Sequence, residues 1–214
     1  MKLPDFSKAG LGFETSWTDK VRRFVTAFIA EHFSKKISYH NLDHTLDVVQ
    51  ASELIGKASG LSDVDLELVL IAAWFHDVGY YMGNEDHEAN SARIARDYLQ
   101  GEGMEEKKIE QVEGCIIATK VPQQPNNLLE MVLCDADLYH LATDRFFEKS
   151  DLLMRELMAQ DTSLQSREWM KTSWQFVRDH RYHTAFGKKD LAPKKKANLK
   201  LLGLKLGIDE NQEF

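Results

Sequence analysis

The chain has 214 residues, of which 43% are hydrophobic and 29% are charged, a composition typical of a soluble globular protein. Its most apolar stretch, Leu68 to Phe75, is far too short to cross a bilayer, and Pro4 and Asp5 stand where a signal peptide needs an apolar run. The net charge is −7, and the two cysteines exclude a disulfide framework or a thiol-rich zinc site. We therefore expect a cytoplasmic protein.

The first predicted elements are helices that follow an irregular arm at residues 1–14. The apolar spacing of residues 16–33 predicts the first helix. Asn41 is a suitable N-cap for the second helix, because its side chain can accept hydrogen bonds from the first turn. Gly60 is predicted to end this second helix.

The third predicted helix is the most apolar part of the chain. Ser62 can cap it, and residues 66–75 are apolar nearly all round, which predicts a buried central helix. His76 and Asp77 follow at its C-terminal end. A buried helix is a rigid support for two metal ligands.

Further helices are predicted at about 86–100, 105–119, 127–142, 144–160, 166–181 and 193–206. The chain has only four prolines and shows neither an internal repeat nor a low-complexity linker. The sequence therefore predicts an all-α fold, a bundle of eight to nine helices that forms a single domain over residues 1–214.

Positive charge is concentrated in the basic C-terminal segment, residues 181–214. From Arg181 to Lys205 there are eight Lys or Arg residues and one acidic residue, Asp190, so this stretch carries +7 and the rest of the chain −14. Two interpretations stay open. The stretch is either a solvated helix flank or a basic wall that attracts a phosphorylated substrate towards the site.

Three segments carry side chains that suit a metal ion: Tyr39–His44, His76–Asp77 and Asp135–Leu138. Each adjoins an apolar segment with helical periodicity, so its polar side chains can be aimed into a cleft between helices. Two imidazoles and two carboxylates suit a borderline-to-hard divalent ion and leave coordination positions for water and substrate. That chemistry is typical of hydrolysis.

This ordered set resembles the HD superfamily of metal-dependent phosphohydrolases, in which a histidine, a His-Asp doublet and a late aspartate in an Ala-Asp-Leu setting follow one another. The resemblance covers most of the chain and implies a helical fold. It also implies one divalent ion, of manganese, magnesium, iron, cobalt, nickel or zinc. The implied ligands are His44, His76, Asp77 and Asp137.

Asp135 competes with Asp137 for the last ligand position. The two residues are two apart, so they cannot share one face of a helix. The Ala-Asp-Leu pattern favours Asp137. Two interpretations of Asp135 stay open: it orients a ligand imidazole from outside the coordination sphere, or it lies at a helix surface.

His40 and Asp77 are the predicted catalytic residues. His40 is similar to the histidine with which cyclic-nucleotide phosphodiesterases protonate the leaving oxygen, and imidazole can donate a proton near neutral pH. Asp77 can accept the proton of the attacking water. The alternative for His40 is a hydrogen bond at the start of a helix.

Binuclear members of the superfamily use further histidines on the segments that follow the His-Asp doublet. His87 resembles a second-metal or phosphate-binding histidine, but Lys120 stands where those members have another histidine. The sequence therefore leaves a second metal ion open. Lys120 is either a contact for a phosphate oxygen or a solvated lysine at a helix end.

His180 and Tyr182 lie in a polar cluster, Asp179 to Thr184, whose spacing matches no metal motif. Two interpretations stay open. The cluster either covers the substrate pocket together with the neighbouring lysines, or forms a helix end and its cap.

The resemblance implies hydrolysis of a phosphate ester of a nucleotide or a similar small molecule by a metal-activated water. Two other functions stay open: a catalytically silent nucleotide sensor on the same fold, and a di-iron oxygenase, which needs more histidines than residues 86–120 supply. The expected partner is a phosphorylated small molecule, with no duplex nucleic acid and no membrane. The oligomeric state stays open.

Overall fold

The computed structural model describes residues 16–34, 36–160 and 166–208. Within these ranges the fold is all-α, as predicted, with no β-strand. The predicted arm at residues 1–14 lies outside the described residues. The helices are α1 (Trp17–His32), α2 (Leu42–Ala58), α3 (Asp63–Phe75), α4 (His87–Gly101), α5 (Glu106–Ala118), α6 (Leu128–Asp137), α7 (Phe146–Gln160), α8 (Ser166–Asp179) and α9 (Ala192–Leu206).

Helix boundaries near the site are set by short polar residues. The side chain of Asn41 accepts hydrogen bonds from two N–H groups in the first turn of α2, one of them that of His44, and Ser62 caps α3 in the same way. Both N-caps were predicted. After α2 the chain turns at Gly60, whose φ of +75° is a left-handed conformation that favours glycine.

Helix α3 is the centre of the core, as its continuous apolar sequence predicts. Its residues from Leu68 to Phe75 are buried except Leu70, and the helix packs against α1, α2, α4, α5 and α6. A 3₁₀ turn, Val78–Met82, follows the helix. Gly79 in this turn allows α4 to approach closely, because a Cβ there would lie 2.3 Å from the carbonyl oxygen of His87.

The predicted helix at 127–142 is wrong at its C-terminal end. Helix α6 ends at Asp137, and residues Tyr139–Ala142 form a separate 3₁₀ turn. A tertiary contact favours this break, because the hydroxyl of Tyr182 donates a 3.1 Å hydrogen bond to the carbonyl of Leu138. A partner this distant along the chain satisfies a helix-terminal carbonyl without leaving any local periodic signal.

A second, smaller apolar cluster is formed where α8 and α9 pack on the 139–142 turn, and its buried members are Leu138, Leu141, Phe146, Val177 and Leu202. The π-helical turn Gly187–Leu191 leads into α9. Most lysines of the basic segment are exposed, but Lys195 is 6% exposed and donates a 2.9 Å hydrogen bond to the carbonyl of Val177. None of the helices in the described ranges combines the length and the hydropathy that a membrane span requires.

Candidate metal centre

The four predicted ligands lie together where the start of α2 meets the ends of α3 and α6. His76 Nε2 lies 3.0 Å from Asp77 Oδ2 and 3.7 Å from Asp137 Oδ1. His44 Nε2 lies 3.3 Å from the same oxygen of each aspartate. The two Nε2 atoms are 3.4 Å apart. The cluster therefore brings the two ring nitrogens close to one carboxylate oxygen of each aspartate.

These separations fit a shared metal ion. Two ligands that each lie about 2.1 Å from an ion are about 3.0 Å apart at a right angle and about 3.4 Å apart at a tetrahedral angle. Donor atoms of His44, His76 and Asp77 all fall within 4.8 Å of one another. The arrangement also leaves Asp77 Oδ2 buried and without a hydrogen-bond partner, which is costly unless a cation faces it.

A backbone hydrogen bond orients the ring of His76. Its Nδ1 lies 2.8 Å from the carbonyl oxygen of Ala73, one turn earlier in α3. The carbonyl can only accept, so Nδ1 carries the proton and Nε2 keeps its lone pair for an ion. His44 and His76 are both almost fully buried, which holds their rings in place.

In the metal-free cluster, protonated imidazoles lie next to ionised carboxylates. Burial lowers the pKa of His44, but the hydrogen bonds and charges of Asp137 and Asp77 outweigh it and raise that pKa to about 9. For Asp77, burial favours the neutral acid, but the surrounding imidazoles, with His76 contributing most, together hold its pKa well below the usual range. A divalent ion can take the place of these protons between the same carboxylates.

Residues 41–142, which contain all four ligands, match the HD domain family. The chain therefore contains an HD domain over these residues. Among curated proteins, none matches the chain.

Two solved structures support the helical fold of this HD-domain protein. A predicted HD superfamily hydrolase from an uncultured Thermotogales bacterium is 17% identical with a TM-score of 0.52, over 75% of this chain and 87% of the other. A protein from Lactobacillus plantarum is 19% identical with a TM-score of 0.54, over 88% of this chain and 92% of the other. At these identities the likeness shows the fold alone.

His40 lies beside the cluster and is held by a carboxylate from α7. Its Nδ1 forms a very short hydrogen bond with Glu156 Oε1, while Glu156 Oε2 accepts from the backbone N–H groups of Tyr39 (2.7 Å) and His40 (3.2 Å). The ring of His40 stacks on Tyr80, with centroids 4.0 Å apart, and lies 5.9 Å from that of His44. With Nδ1 engaged, Nε2 is the nitrogen that remains for proton transfer.

His87 and Lys120 have different positions relative to the cluster. His87 Nε2 lies 3.5 Å from Asp77 Oδ1, the carboxylate oxygen that does not face His44 and His76. Lys120 Nζ pairs at 2.6 Å with Asp86, and both side chains are exposed. The fold therefore brings His87 to the edge of the candidate metal centre. Lys120 instead pairs with Asp86, the residue that precedes His87.

Asp135 is completely buried on the face of α6 that contacts the C-terminal segment. Its carboxylate accepts hydrogen bonds from the N–H groups of His183 (2.7 Å) and Thr184 (3.0 Å) and from the Thr184 hydroxyl (2.7 Å). Gly187 packs so closely that a Cβ there would lie 2.3 Å from Asp135 Oδ2. These contacts make Asp135 an anchor for the segment after α8, and its burial contradicts the predicted position at a helix surface.

His180 and Tyr182 also belong to this anchored segment. Tyr182 is 2% exposed, and its hydroxyl is used by the carbonyl of Leu138. His180 lies between Phe176 and Tyr182, and both of its ring nitrogens are buried without a hydrogen-bond partner. Burial, followed by the charge of Lys195, lowers the pKa of His180 to about 3, so its ring is neutral.

A cavity of about 310 Å³ opens beside the metal centre, between α2 and the start of α7. Its lining residues are His44, Asp47, Val48, Gln50, Ala51, Leu54, Ala136, Asp137, Tyr139, His140, Thr143, Arg145 and Lys149. Sequence analysis did not single out the cavity residues beyond the ligands, nor Glu156. Glu156 lies 116 residues from His40 and resembles any glutamate on an amphipathic helix, so no local pattern could have identified it.

Proposed function

We propose that this HD-domain protein is a metal-dependent phosphohydrolase that cleaves a phosphate ester of a nucleotide or a similar small molecule. The observation that carries the proposal is the cluster of His44, His76, Asp77 and Asp137, with its unpartnered carboxylate oxygen, beside an open cavity. A divalent ion held there would activate water and withdraw negative charge from phosphoryl oxygens.

The side chains around the ion have separate tasks in this scheme. His44, His76, Asp137 and Asp77 Oδ2 would hold it. Asp77 Oδ1 is directed towards His87 and is the oxygen that accepts the proton of the attacking water.

His40 supplies the proton that the leaving oxygen needs. The Glu156 carboxylate accepts from Nδ1 and orients the ring, so the proton on Nε2 is the one transferred. Stacking on Tyr80 restrains the ring to this orientation. Proton transfer from a positioned side chain typically contributes a factor of about 10² to 10⁴ to the rate.

The test is phosphate release from a panel of nucleotides and sugar phosphates by metal-stripped protein, with each divalent ion added back singly. We expect release that depends on the ion and disappears in Asp77→Ala. The matched control is Asp97→Ala, which removes an exposed carboxylate of α4 and should leave release unchanged. Full release by metal-stripped Asp77→Ala would refute the scheme.

The same panel separates the two alternatives that the sequence left open. Tight nucleotide binding with no product under any ion would favour a silent sensor. Dioxygen consumption by the iron-loaded protein would favour a di-iron oxygenase.

A further inference from the structure

The cavity beside the metal centre contains one carboxylate that the proposed hydrolysis does not use. Asp47 lies on α2 one turn after the ligand His44, and both residues line the cavity. Residues three apart on a helix have Cβ atoms about 5–6 Å apart on one face. Asp47 is therefore directed at whatever is attached to a phosphate bound at the metal centre.

The cations near Asp47 are already committed to partners. Lys149 is 3% exposed, and its Nζ lies 2.5 Å from Asp47 Oδ2. Arg145 makes two hydrogen bonds with Glu148, at 3.0 and 3.1 Å, and only long contacts of 3.4 and 3.5 Å with Asp47. Both cations that line the cavity in the described part of the chain therefore have carboxylate partners.

The carboxylate of Asp47 is a hydrogen-bond acceptor in the cavity lining. The Asp47 side chain is 40% exposed, and its Oδ1 has only the 3.5 Å contact with Arg145. An ionised carboxylate provides about four lone-pair positions and accepts most strongly from O–H and N–H groups. Val48, Ala51 and Leu54, which follow Asp47 on α2, form an apolar wall of the cavity.

We propose that Asp47 binds hydroxyl groups of the substrate, so that the site takes the phosphate ester of a sugar. This inference rests on the proposed phosphohydrolase function and names its substrate class. The phosphate lies at the metal centre, the sugar hydroxyls lie one helical turn away at Asp47, and the apolar wall contacts what the sugar carries. A free sugar phosphate and a nucleotide share this chemistry, but only the nucleotide carries a base that can contact the apolar wall.

The experiment compares four phosphate esters on the metal-loaded protein: ribose 5-phosphate, adenosine 5′-monophosphate, its 2′,3′-dideoxy analogue and phenyl phosphate. Affinity is measured by calorimetry, and KM and kcat by phosphate release. The variants are Asp47→Asn and the double variant Asp47→Ala with Lys149→Met, which avoids leaving the buried Lys149 without its counter-ion. Glu53→Gln, an exposed carboxylate elsewhere on α2, is the matched control.

For the esters with hydroxyls, we expect both Asp47 variants to bind at least about tenfold more weakly and to show a KM that is higher by the same factor. Hydrogen bonds to a charged group contribute about 1.5–3 kcal/mol. Phenyl phosphate and the dideoxy analogue should change by less than about twofold on the same scale. Tighter binding of adenosine 5′-monophosphate than of ribose 5-phosphate would identify the nucleotide as the source of the sugar.

Two results overturn the inference: equal changes for all four esters, or no preference of the unmodified protein for hydroxylated esters. If phenyl phosphate were also hydrolysed, either result would leave the proposed phosphohydrolase function standing and exclude its specificity for sugars. Binding of ribose 5-phosphate that depends on Asp47, with no turnover of any ester, would support the hydroxyl site and refute the proposed function.

Discussion

The contact between His40 and Glu156 gives the sharpest prediction about catalysis. Glu156 is 1% exposed, and its carboxylate accepts from three donors, namely Tyr39 N–H, His40 N–H and His40 Nδ1–H. Burial raises the pKa of Glu156, but the contacts with His40 and the N–H of Tyr39 together outweigh it and lower that pKa, so the carboxylate remains ionised. The substitution Glu156→Gln preserves the shape of the side chain and removes its charge.

The expected magnitude follows from these contacts. The amide oxygen of Gln can still accept from the two backbone N–H groups, which leaves its NH₂ group facing His40 Nδ1. That arrangement favours the neutral ring and removes a charge-assisted hydrogen bond worth about 1.5–3 kcal/mol from the protonated ring. Because 1.36 kcal/mol is a factor of ten, kcat for a substrate with a poor leaving group should fall by about 10- to 100-fold.

The assay compares leaving groups on the metal-loaded protein. An alkyl phosphate needs protonation of its leaving oxygen, whereas a 4-nitrophenyl phosphate hardly does. Glu156→Gln should therefore slow the alkyl ester strongly and the nitrophenyl ester by less than about threefold, with metal stoichiometry unchanged. Asp151→Asn, which changes an exposed carboxylate on the same helix, is the control. Equal loss on both esters would refute a proton-donor role for His40.

Three further outcomes are expected. Asp137→Asn should abolish tight metal binding, whereas Asp135→Asn should keep the metal stoichiometry and lower the free energy of unfolding by about 1–3 kcal/mol. The reason is that an amide has one acceptor oxygen, whereas both carboxylate oxygens of Asp135 accept from N–H donors, so one donor would face the NH₂ group. Loss of metal in Asp135→Asn would contradict this assignment. The apparent affinity for a divalent ion should rise between pH 7 and 9, by up to about tenfold per pH unit for each proton displaced, since the metal-free pKa of His44 is about 9; a flat titration would count against it. His180 is neutral, with a pKa of about 3 against an ordinary 6.5, so its contribution to the free energy of unfolding is present above about pH 6.5 and is lost as the pH falls towards 3. In urea unfolding measured from pH 7 to 4, His180→Phe should therefore reduce the loss of stability with falling pH.

Several features of the site were readable from the sequence because they are local. Asn41 and Ser62 cap helices through their own side chains, and α3 is apolar on every side, so its burial follows from composition alone. The ligand types follow from coordination chemistry, and the superfamily resemblance supplied their positions, which the structure brings within contact of one another.

Other features depended on contacts between distant segments. The end of α6 at Asp137 accompanies a hydrogen bond from Tyr182 to Leu138, where helical periodicity alone predicted continuation. Asp135 and Asp137 look alike in the sequence, but successive helical positions differ by about 100°, so one faces the metal centre and the other the segment after α8.

The sequence by itself determined the all-α fold class, the helix caps and, through the resemblance, the candidate metal ligands. Only the tertiary structure decided that Glu156 holds His40, that Asp135 anchors the C-terminal segment, and that Asp47 faces a cavity beside the ligands. The physical reason is that a cap or an apolar face is specified within a few residues. The partner of a buried charge is instead chosen by how helices pack, over 116 residues in the case of Glu156.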